Sequence, residues 1–293
     1  MHTLQSILTH DKAALESALG LDVGSARIEV QCLLQAVLQV NRAYLLTHPE
    51  QILDAEQQAH YAALFERRLC GEPLAYILGE REFYGLNFRV TPATLIPRAD
   101  TELLVELALQ CIPRPSPQPS PACGRGGLFR VLDLGTGSGA IALSIAHTRP
   151  DIEVTAVDAS QEALDIVQEN VRRLNIGNVR LLRSDWFAAL AGERFDLILS
   201  NPPYIADGDA HLAQGDLRYE PRSALASGAD GLDDIRRIVE QARMHLNSSG
   251  WLLLEHGYDQ AERVRELLRQ AGFTGVFSAR DLAGVERVSG GLS

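Results

Sequence analysis

The chain has 293 residues, of which 46% are hydrophobic and 22% are charged, as in an ordinary soluble globular protein. Acidic residues outnumber basic ones by 38 to 27, so binding to nucleic acid through phosphates is disfavoured. The sequence shows neither a membrane-spanning apolar run nor a signal peptide, and its four cysteines form no Cys-x-x-Cys pair. We therefore expect a cytoplasmic protein that has reduced thiols and binds no metal, membrane or nucleic acid directly.

Residues 1–75 are predicted to form a small N-terminal helical domain. One stripe has the spacing of a single helix face: Val30, Leu33, Leu34, Val37 and Leu38. A further helix opens with a predicted capping box of Asp54 and Gln57 and ends before Gly71 and Pro73. The apolar faces of these helices are interpreted as the core of a small bundle.

Residues 76–98 are predicted to form a β-hairpin connector. Aromatic and β-branched residues surround a glycine, which places strands near 80–84 and 86–91. The segment 113–127 is rich in Pro, Ser and Gly and is predicted to be a surface loop. It contains Cys123, which is expected to be reduced.

Residues 99–293 are predicted to form a Rossmann-like α/β domain. After a helix near 101–109, short apolar strands alternate with amphipathic helices from Phe129 onward, which indicates a doubly wound parallel sheet. The final segment, 275–291, has no helix between its strands and is expected to form a closing antiparallel hairpin. Ligands of such sheets bind at the carboxyl ends of the strands.

A glycine-rich turn follows the first strand of this domain in "LDLGTGSG". The candidate cofactor-binding residues of the turn are Gly135, Thr136, Gly137, Ser138 and Gly139. Asp158 ends the second strand and is suited to accept hydrogen bonds from two ribose hydroxyls. The spacing differs from the dinucleotide fingerprint, and the preceding Asp133 favours a cationic ligand such as S-adenosyl-L-methionine. The alternative is that the glycines serve only helix–strand packing.

The third strand ends at Asp185 and Trp186, which are further candidates for cofactor binding. Asp185 could accept a hydrogen bond from an adenine amino group, and Trp186 could cover its ring. Core packing is the alternative interpretation of Trp186.

The fourth strand, "FDLILS", ends at Asn201-Pro202-Pro203-Tyr204, which we predict to be the catalytic and substrate-binding residues. A planar amino group is a poor nucleophile, and two acceptors on its N–H bonds would orient it toward a methyl carbon. The side-chain oxygen of Asn201 and the carbonyl of Pro202 are those acceptors, while Tyr204 offers a flat face. Taken alone, the tetrapeptide is as compatible with a structural Pro-Pro turn and a buried tyrosine as it is with this substrate-binding role.

Two longer stretches carry a resemblance to a known family. "GEPLAYILGEREFYGLNFRVTPATLIPRADTELLVE" and "EPRSALASGADGL", together with Asn-Pro-Pro-Tyr, resemble the protein-(glutamine) methyltransferases of the release-factor (HemK/PrmC) type. The resemblance covers nearly the whole chain. It implies methylation of the glutamine amide in the Gly-Gly-Gln motif of class 1 peptide chain release factors, by a monomer whose helical domain docks the substrate.

Carried onto this chain, the resemblance places cofactor contacts at Gly135–Gly139, Asp158 and Trp186, with Asn201 touching both cofactor and substrate. It also implies that Phe83 and Tyr84 of the hairpin contribute an apolar wall to the substrate pocket. Two positions depart from the family pattern. Ala99 replaces the second proline of Leu-Ile-Pro-Arg-Pro-Asp-Thr-Glu, and Ser227-Gly228-Ala229 replaces a usual Gly-Gly.

Other functions are compatible with parts of the pattern. A ribosomal-protein glutamine methyltransferase would share the chemistry and differ in its docking surface. An adenine-N6 nucleic-acid methyltransferase would need a pocket for a flipped base, and the acidic charge disfavours it. A nucleotide-dependent dehydrogenase is disfavoured by the glycine spacing, and a non-enzymatic binding module leaves Asn-Pro-Pro-Tyr unexplained.

Overall fold

The computed structural model describes residues 3–114 and 128–293. Residues 115–127, which include Cys123 and most of the predicted surface loop, lie outside the described residues. In the two described stretches, no helix combines the length and the apolar character that crossing a bilayer requires.

The first of two compact units contains the chain up to Glu80 and also Ala213–Tyr219. Its helices in chain order are α1 (Leu4–Leu19), α2 (Val23–Leu38), α3 (Arg42–Thr47), α4 (Ala55–Leu69) and α5 (Leu74–Leu78). Their core includes the fully buried Leu33 and Leu34 of the predicted stripe. Asp54 and Gln57 form the predicted capping box at the start of α4, each side chain bonding the other's backbone N–H. The predicted helical organisation is confirmed.

The segment Ala213–Tyr219 is held to the helical unit by polar contacts within that unit. The Tyr219 hydroxyl donates to the backbone carbonyl of Cys70 at 2.7 Å. Arg68 is almost fully buried, and it pairs with Glu29 at 2.7 Å and with Asp216 at 3.5 Å. A buried arginine needs such partners because an unpaired buried charge is strongly unfavourable.

The second unit contains Arg81–Leu212 and Glu220–Ser293. The elements from the hairpin onward are β1 (Glu80–Phe83), β2 (Leu86–Arg89), α6 (Glu102–Cys111), β3 (Arg130–Leu134), α7 (Ala140–Thr148), β4 (Glu153–Asp158), α8 (Gln161–Leu174), β5 (Val179–Arg183), β6 (Phe195–Ser200), α9 (Asp233–His245), β7 (Leu246–Glu255), α10 (Ala261–Gln270), β8 (Thr274–Arg280) and β9 (Glu286–Leu292). The predicted hairpin and the alternation of strands and helices are confirmed.

Seven strands form one sheet in the order β5-β4-β3-β6-β7-β9-β8. The first five are parallel, and β9 pairs antiparallel with both β7 and β8, as predicted for the closing hairpin. The chain runs outward from β3 through β4 to β5 and then returns to place β6 on the other side of β3. This reversal is the topological switch, where ligands of open α/β sheets bind.

The register aligns the ends of the strands beside the switch. Leu134, the last residue of β3, pairs with Val157 on one side and with Ser200 on the other. The carboxyl ends of the three strands therefore lie at the same edge, where Asp158 ends β4 and Asn201 follows β6.

Candidate active site

One cavity of about 260 Å³ lies at this edge of the sheet, within the second unit. The predicted site residues that line it are Gly135, Gly137, Asp158, Asp185, Trp186, Asn201 and Pro203. The predicted residues outside its lining are Phe83, Tyr84, Thr136, Ser138, Gly139, Pro202 and Tyr204. The fold thus brings the glycine-rich turn, the acid that ends β4 and Asn201 together, although they are far apart in the chain.

The three glycines of the turn serve different purposes. Gly135, Gly137 and Gly139 have φ angles of 70°, 58° and 83°, in the left-handed region that favours glycine. A Cβ added at Gly139 would lie 2.8 Å from Val167 of α8, so this glycine permits helix packing. A Cβ at Gly137 would meet no described atom within 4 Å, so the cavity is open above this backbone. Gly139 therefore fits the packing interpretation, whereas cofactor binding at Gly137 stays a prediction.

Buried polar groups support the turn from inside the protein. Asp133 is fully buried, and its Oδ2 accepts a hydrogen bond of 2.6 Å from the Thr136 hydroxyl. The Ser138 carbonyl accepts from the side-chain amide of Asn170 at 2.9 Å. Burial raises the pKa of Asp133 to about 7. Asp133 is outside the cavity lining, and its direct structural role is to hold the turn.

Asp158 is fixed by two backbone donors. Its Oδ2 accepts from the N–H of Gly137 and its Oδ1 from the N–H of Ser160, each at 2.9 Å. A carboxylate oxygen can accept two hydrogen bonds, so each oxygen keeps an acceptor site for a ligand in the cavity. Burial raises the pKa of Asp158, and the backbone bonds oppose that shift.

Trp186 forms a wall of the cavity and is tied to the start of α9. A Cβ added at Gly135 would lie 3.4 Å from the indole ring, so the ring packs against that glycine. The indole N–H donates to Asp234 at 3.2 Å, and Asp234 in turn bonds the Ser227 hydroxyl at 2.8 Å. Ser227, one of the departures from the family pattern, thereby anchors α9. Its hydroxyl also accepts from the Asp234 N–H at 2.8 Å.

Asp185 is exposed at the cavity margin, where Arg237 of α9 pairs with it at 3.1 Å. Asp234 and Arg237 also line the cavity, and the sequence reasoning did not identify either residue. They lie three positions apart on the first turns of α9, a spacing that places two side chains on one helix face. Only the position of α9 relative to the turn, which no local pattern reveals, would have identified them.

Asn201 reaches from the end of β6 to the start of α6. Its side-chain N–H donates to the Thr101 hydroxyl at 3.3 Å. Pro203 lines the cavity beside it, whereas Pro202 is buried. The tetrapeptide therefore presents the Asn201 side chain and one proline ring to the cavity.

Tyr204 points away from the cavity lining toward Glu255, the last residue of β7. Its hydroxyl lies 3.5 Å from a Glu255 oxygen, and its backbone carbonyl accepts from Gln260 at 2.9 Å. Burial raises the pKa of Tyr204, and the nearby Glu255 carboxylate adds to the shift. A Cβ at Gly231 would lie 2.2 Å from the Tyr204 carbonyl oxygen, so only glycine fits at position 231.

The two hairpin residues occupy different environments. Phe83 is 1% exposed and packs edge-on against Phe88, with ring centroids 6.2 Å apart. Tyr84 is partly buried in the hairpin turn, where its N–H donates to Glu102 at 2.9 Å. Phe83 therefore belongs to the core, and its predicted contribution to a pocket wall would be indirect.

A second wall of the cavity comes from two segments of the chain that resemble the family but to which the sequence assigned no role. Thr94 and Leu95 line the cavity together with Pro221, Ser223 and Ala224. The buried Glu220 joins the two stretches, because its carboxylate accepts from the Ile96 N–H at 3.1 Å and pairs with Arg98. The Glu-Pro-Arg-Ser-Ala-Leu motif is thereby explained as an anchor for this wall.

The two parts of the chain match two known domain families. Residues 7–79 match the family described as the PrmC N-terminal domain. Residues 125–229 match the methyltransferase small domain. The human methyltransferase 10 domain containing protein shares the fold, with a TM-score of 0.53 at 16% identity over 79% of this chain and 96% of that one.

Two curated relatives align with nearly the whole chain. A release factor glutamine methyltransferase of Pseudomonas aeruginosa is 50% identical over 92% of this chain and 93% of its own length. One of Bordetella pertussis is 52% identical over 92% of this chain and 96% of its own length. These shares are large enough to include both units. The chain therefore belongs to the release factor glutamine methyltransferase family.

Proposed function

We propose that this protein methylates the side-chain amide nitrogen of the glutamine in the Gly-Gly-Gln motif of class 1 release factors. The proposed methyl donor is S-adenosylmethionine. The observation that carries the proposal is the shared cavity, which Asn201 lines together with Gly135, Gly137 and Asp158. The names of the relatives support the choice of a release factor as the substrate.

The cavity residues fit the proposed cofactor. Asp158 would accept from the ribose hydroxyls, because one acceptor site on each oxygen is free of the backbone bonds. Trp186 would cover the adenine ring, and Asp185 would accept from its amino group. Three carboxylates and one arginine line the cavity, which favours a cationic ligand. Bound there, S-adenosylmethionine supplies an electrophilic methyl group on a sulfonium.

The acceptor side would orient a weak nucleophile. An amide nitrogen carries a delocalised lone pair, so its attack depends on alignment and on acceptors that stabilise the positive charge developing on it. The Asn201 oxygen would accept one N–H of the substrate amide, and the Pro202 carbonyl would accept the other. The nitrogen needs no base before transfer, since the proton leaves afterwards to solvent.

The helical unit is proposed to dock the release factor. It exposes large apolar side chains at Val23, Ile28 and Leu46, which are 59%, 52% and 52% accessible. Replacing Ile28 with Glu should raise KM for the intact factor and leave cofactor affinity unchanged. An unchanged KM for Ile28→Glu and for the matching changes at Val23 and Leu46 would place docking elsewhere.

The direct experiment is methyl transfer from radiolabelled S-adenosylmethionine to purified candidates. We expect label on a class 1 release factor, at the glutamine of Gly-Gly-Gln, and none on a factor with Ala at that position. Label on a ribosomal protein or on DNA, with none on the release factor, would overturn the proposal.

A further inference from the structure

The Asn201 side chain is the first of three polar side chains that meet inside the second unit. Its N–H donates to the hydroxyl of Thr101 at 3.3 Å. Thr101 is 4% exposed, and its hydroxyl also interacts with the Glu255 carboxylate and lowers the pKa of that group. Glu255 is 2% exposed, and its Oε2 has no partner of normal hydrogen-bond geometry among the described residues.

The chemistry of these groups fixes the direction of each hydrogen bond. An ionised carboxylate only accepts, and a hydroxyl has a single proton together with two acceptor sites. A Thr101 hydroxyl that gives its proton to an ionised Glu255 keeps its oxygen as the acceptor for Asn201, in agreement with the 3.3 Å contact. With its N–H₂ end engaged in this way, the amide of Asn201 has its oxygen available to a ligand in the cavity.

We propose that Thr101 and Glu255 are positioning residues that determine which end of the Asn201 amide faces the substrate nitrogen. The inference rests on the proposed methyl transfer to an amide nitrogen, since only that reaction needs an acceptor at this point. It also assigns a role to the Asp-Thr-Glu stretch. Thr101 orients Asn201, while Glu102 holds the hairpin through the Tyr84 N–H.

Protonation of Glu255 would remove this control. A carboxylic acid can donate to the Thr101 oxygen, and the hydroxyl is then free to donate to Asn201. That pattern favours the flipped amide, whose N–H₂ end would oppose the N–H of the substrate. Wrongly oriented Asn201 would lower kcat and leave cofactor binding intact.

Several groups set the charge of Glu255. Burial raises its pKa to about 7, and the hydroxyls of Thr101 and Tyr204 and the charge of Arg287 oppose that shift. Asp100 adds to the increase, and its carboxylate lies 3.6 Å from Arg287. Below about pH 7 Glu255 becomes protonated, so kcat should fall with decreasing pH and level off above about pH 8.

The first test compares Thr101→Val with Thr101→Ser. Valine keeps the shape and removes the hydroxyl, so kcat for the release factor should fall on the order of tenfold, the value of one neutral hydrogen bond. KM and cofactor affinity should stay within twofold of wild type. Serine keeps the hydroxyl and should restore most of the rate. A Thr101→Val enzyme with wild-type kcat, or a serine variant as slow as the valine one, would overturn the proposal.

A double-mutant cycle separates positioning from general damage. If Thr101 acts through Asn201, then Thr101→Val should cost nothing further in the Asn201→Ala background. Additive losses would show that Thr101 acts independently and would refute the inference. The same assays distinguish the proposed methyl transfer from the role of Thr101. A wild-type protein that fails to label the release factor defeats the proposed function, whereas an active wild type with a silent Thr101→Val defeats only this inference.

Glu255→Gln provides the pH signature. Glutamine cannot ionise, so the acidic limb of kcat near pH 7 should disappear, and kcat at pH 8 should resemble that of wild type at low pH. A cooperative melting transition at or above the wild-type temperature at pH 6 would show that the variant is folded. A wild-type acidic limb that persists in a folded Glu255→Gln would assign the titration to another group and overturn the role of Glu255.

Discussion

The two halves of the cavity are held in place by different kinds of contact. On the side that we propose binds the cofactor, both oxygens of Asp158 accept backbone N–H bonds of 2.9 Å, and Thr136 bonds Asp133 at 2.6 Å. On the proposed acceptor side, Asn201 and Tyr204 make side-chain contacts of 3.3 Å and 3.5 Å. The first set has the lengths of well-formed hydrogen bonds, whereas the second lies at the long end of the range.

The difference shows which half is complete before substrate arrives. Backbone donors are fixed by the sheet and the turn, so the cofactor half is preorganised. The acceptor half depends on rotatable side chains, and catalytic hydrogen bonds of this type often tighten only in the substrate complex. Changes on the cofactor side should therefore affect folding and cofactor affinity, whereas changes on the acceptor side should affect kcat.

The largest effect is expected for Asn201→Ala. The side-chain oxygen interacts more strongly as positive charge develops on nitrogen, so its loss acts on the transition state. We expect kcat to fall by on the order of 10²–10³, with a much smaller rise in KM. The measurement is kcat on purified release factor at saturating cofactor. A value within twofold of wild type would rule out the acceptor role.

Asn201→Asp is the matched variant because it keeps an oxygen acceptor. It loses the N–H that bonds Thr101 and adds a charge beside the cationic cofactor, so we expect only a partial loss of kcat. The two substitutions together separate the acceptor from the orientation that Thr101 imposes. An aspartate variant as impaired as the alanine one would show that orientation, not the acceptor alone, sets the rate.

The sequence predicts the lining residues at strand ends better than the rest of the cavity. Gly135, Gly137 and Asn201 follow strand ends and Asp158 ends a strand, and strand ends are readable from local patterns. Thr94 and Arg237 also line the cavity, but they come from elements whose placement depends on tertiary packing. The sequence predicts Phe83 for the pocket wall, but the residue lies in the core. An aromatic residue in a hairpin has the same sequence pattern whether it faces a pocket or the core.

Gly139→Ala should impair the cofactor half because it destabilises the fold, not because it blocks the cavity. Alanine at a φ of 83° is strained, and its Cβ would lie 2.8 Å from Val167. We expect a loss of about 2–4 kcal/mol in the free energy of unfolding, from the left-handed conformation and overpacking together. Gly137→Ala is the control, since it shares the strain but meets no described atom within 4 Å. Equal destabilisation in chemical denaturation would contradict the assigned packing role.

Asp158→Ala should weaken cofactor binding with little change in kcat at saturation. Hydrogen bonds to a charged group contribute roughly 1.5–3 kcal/mol, so affinity should fall by about tenfold to a hundredfold or slightly more. Calorimetry with S-adenosylmethionine measures this directly. Asp165→Ala, which removes an exposed carboxylate from α8, is the control for net charge. Unchanged affinity in a folded Asp158→Ala protein would remove the ribose role.

The smallest effect is expected on the stability of the protein. Glu255→Gln should raise the free energy of unfolding, although it lowers kcat. Burial raises the pKa of Glu255 to about 7 in the folded protein, so the folded state binds its proton more tightly than the unfolded state. This stabilisation is fully present below about pH 4.5 and is lost as pH rises from there through about 7. Above that pH the fold holds a buried charge that glutamine would not carry. The variant should therefore be more stable than wild type by about 2 kcal/mol at pH 8, and the difference should be much smaller at pH 5.

Thermal melting at the two pH values, with the exposed Glu240→Gln as a control for charge, tests this expectation. A Glu255→Gln protein that is less stable than wild type at pH 8 would mean that the carboxylate contributes favourably to the fold through Arg287. A variant that is more stable but slower would show that the acceptor half retains a destabilising buried charge because it orients Asn201. In the cofactor half, backbone donors oppose the effect of burial on Asp158.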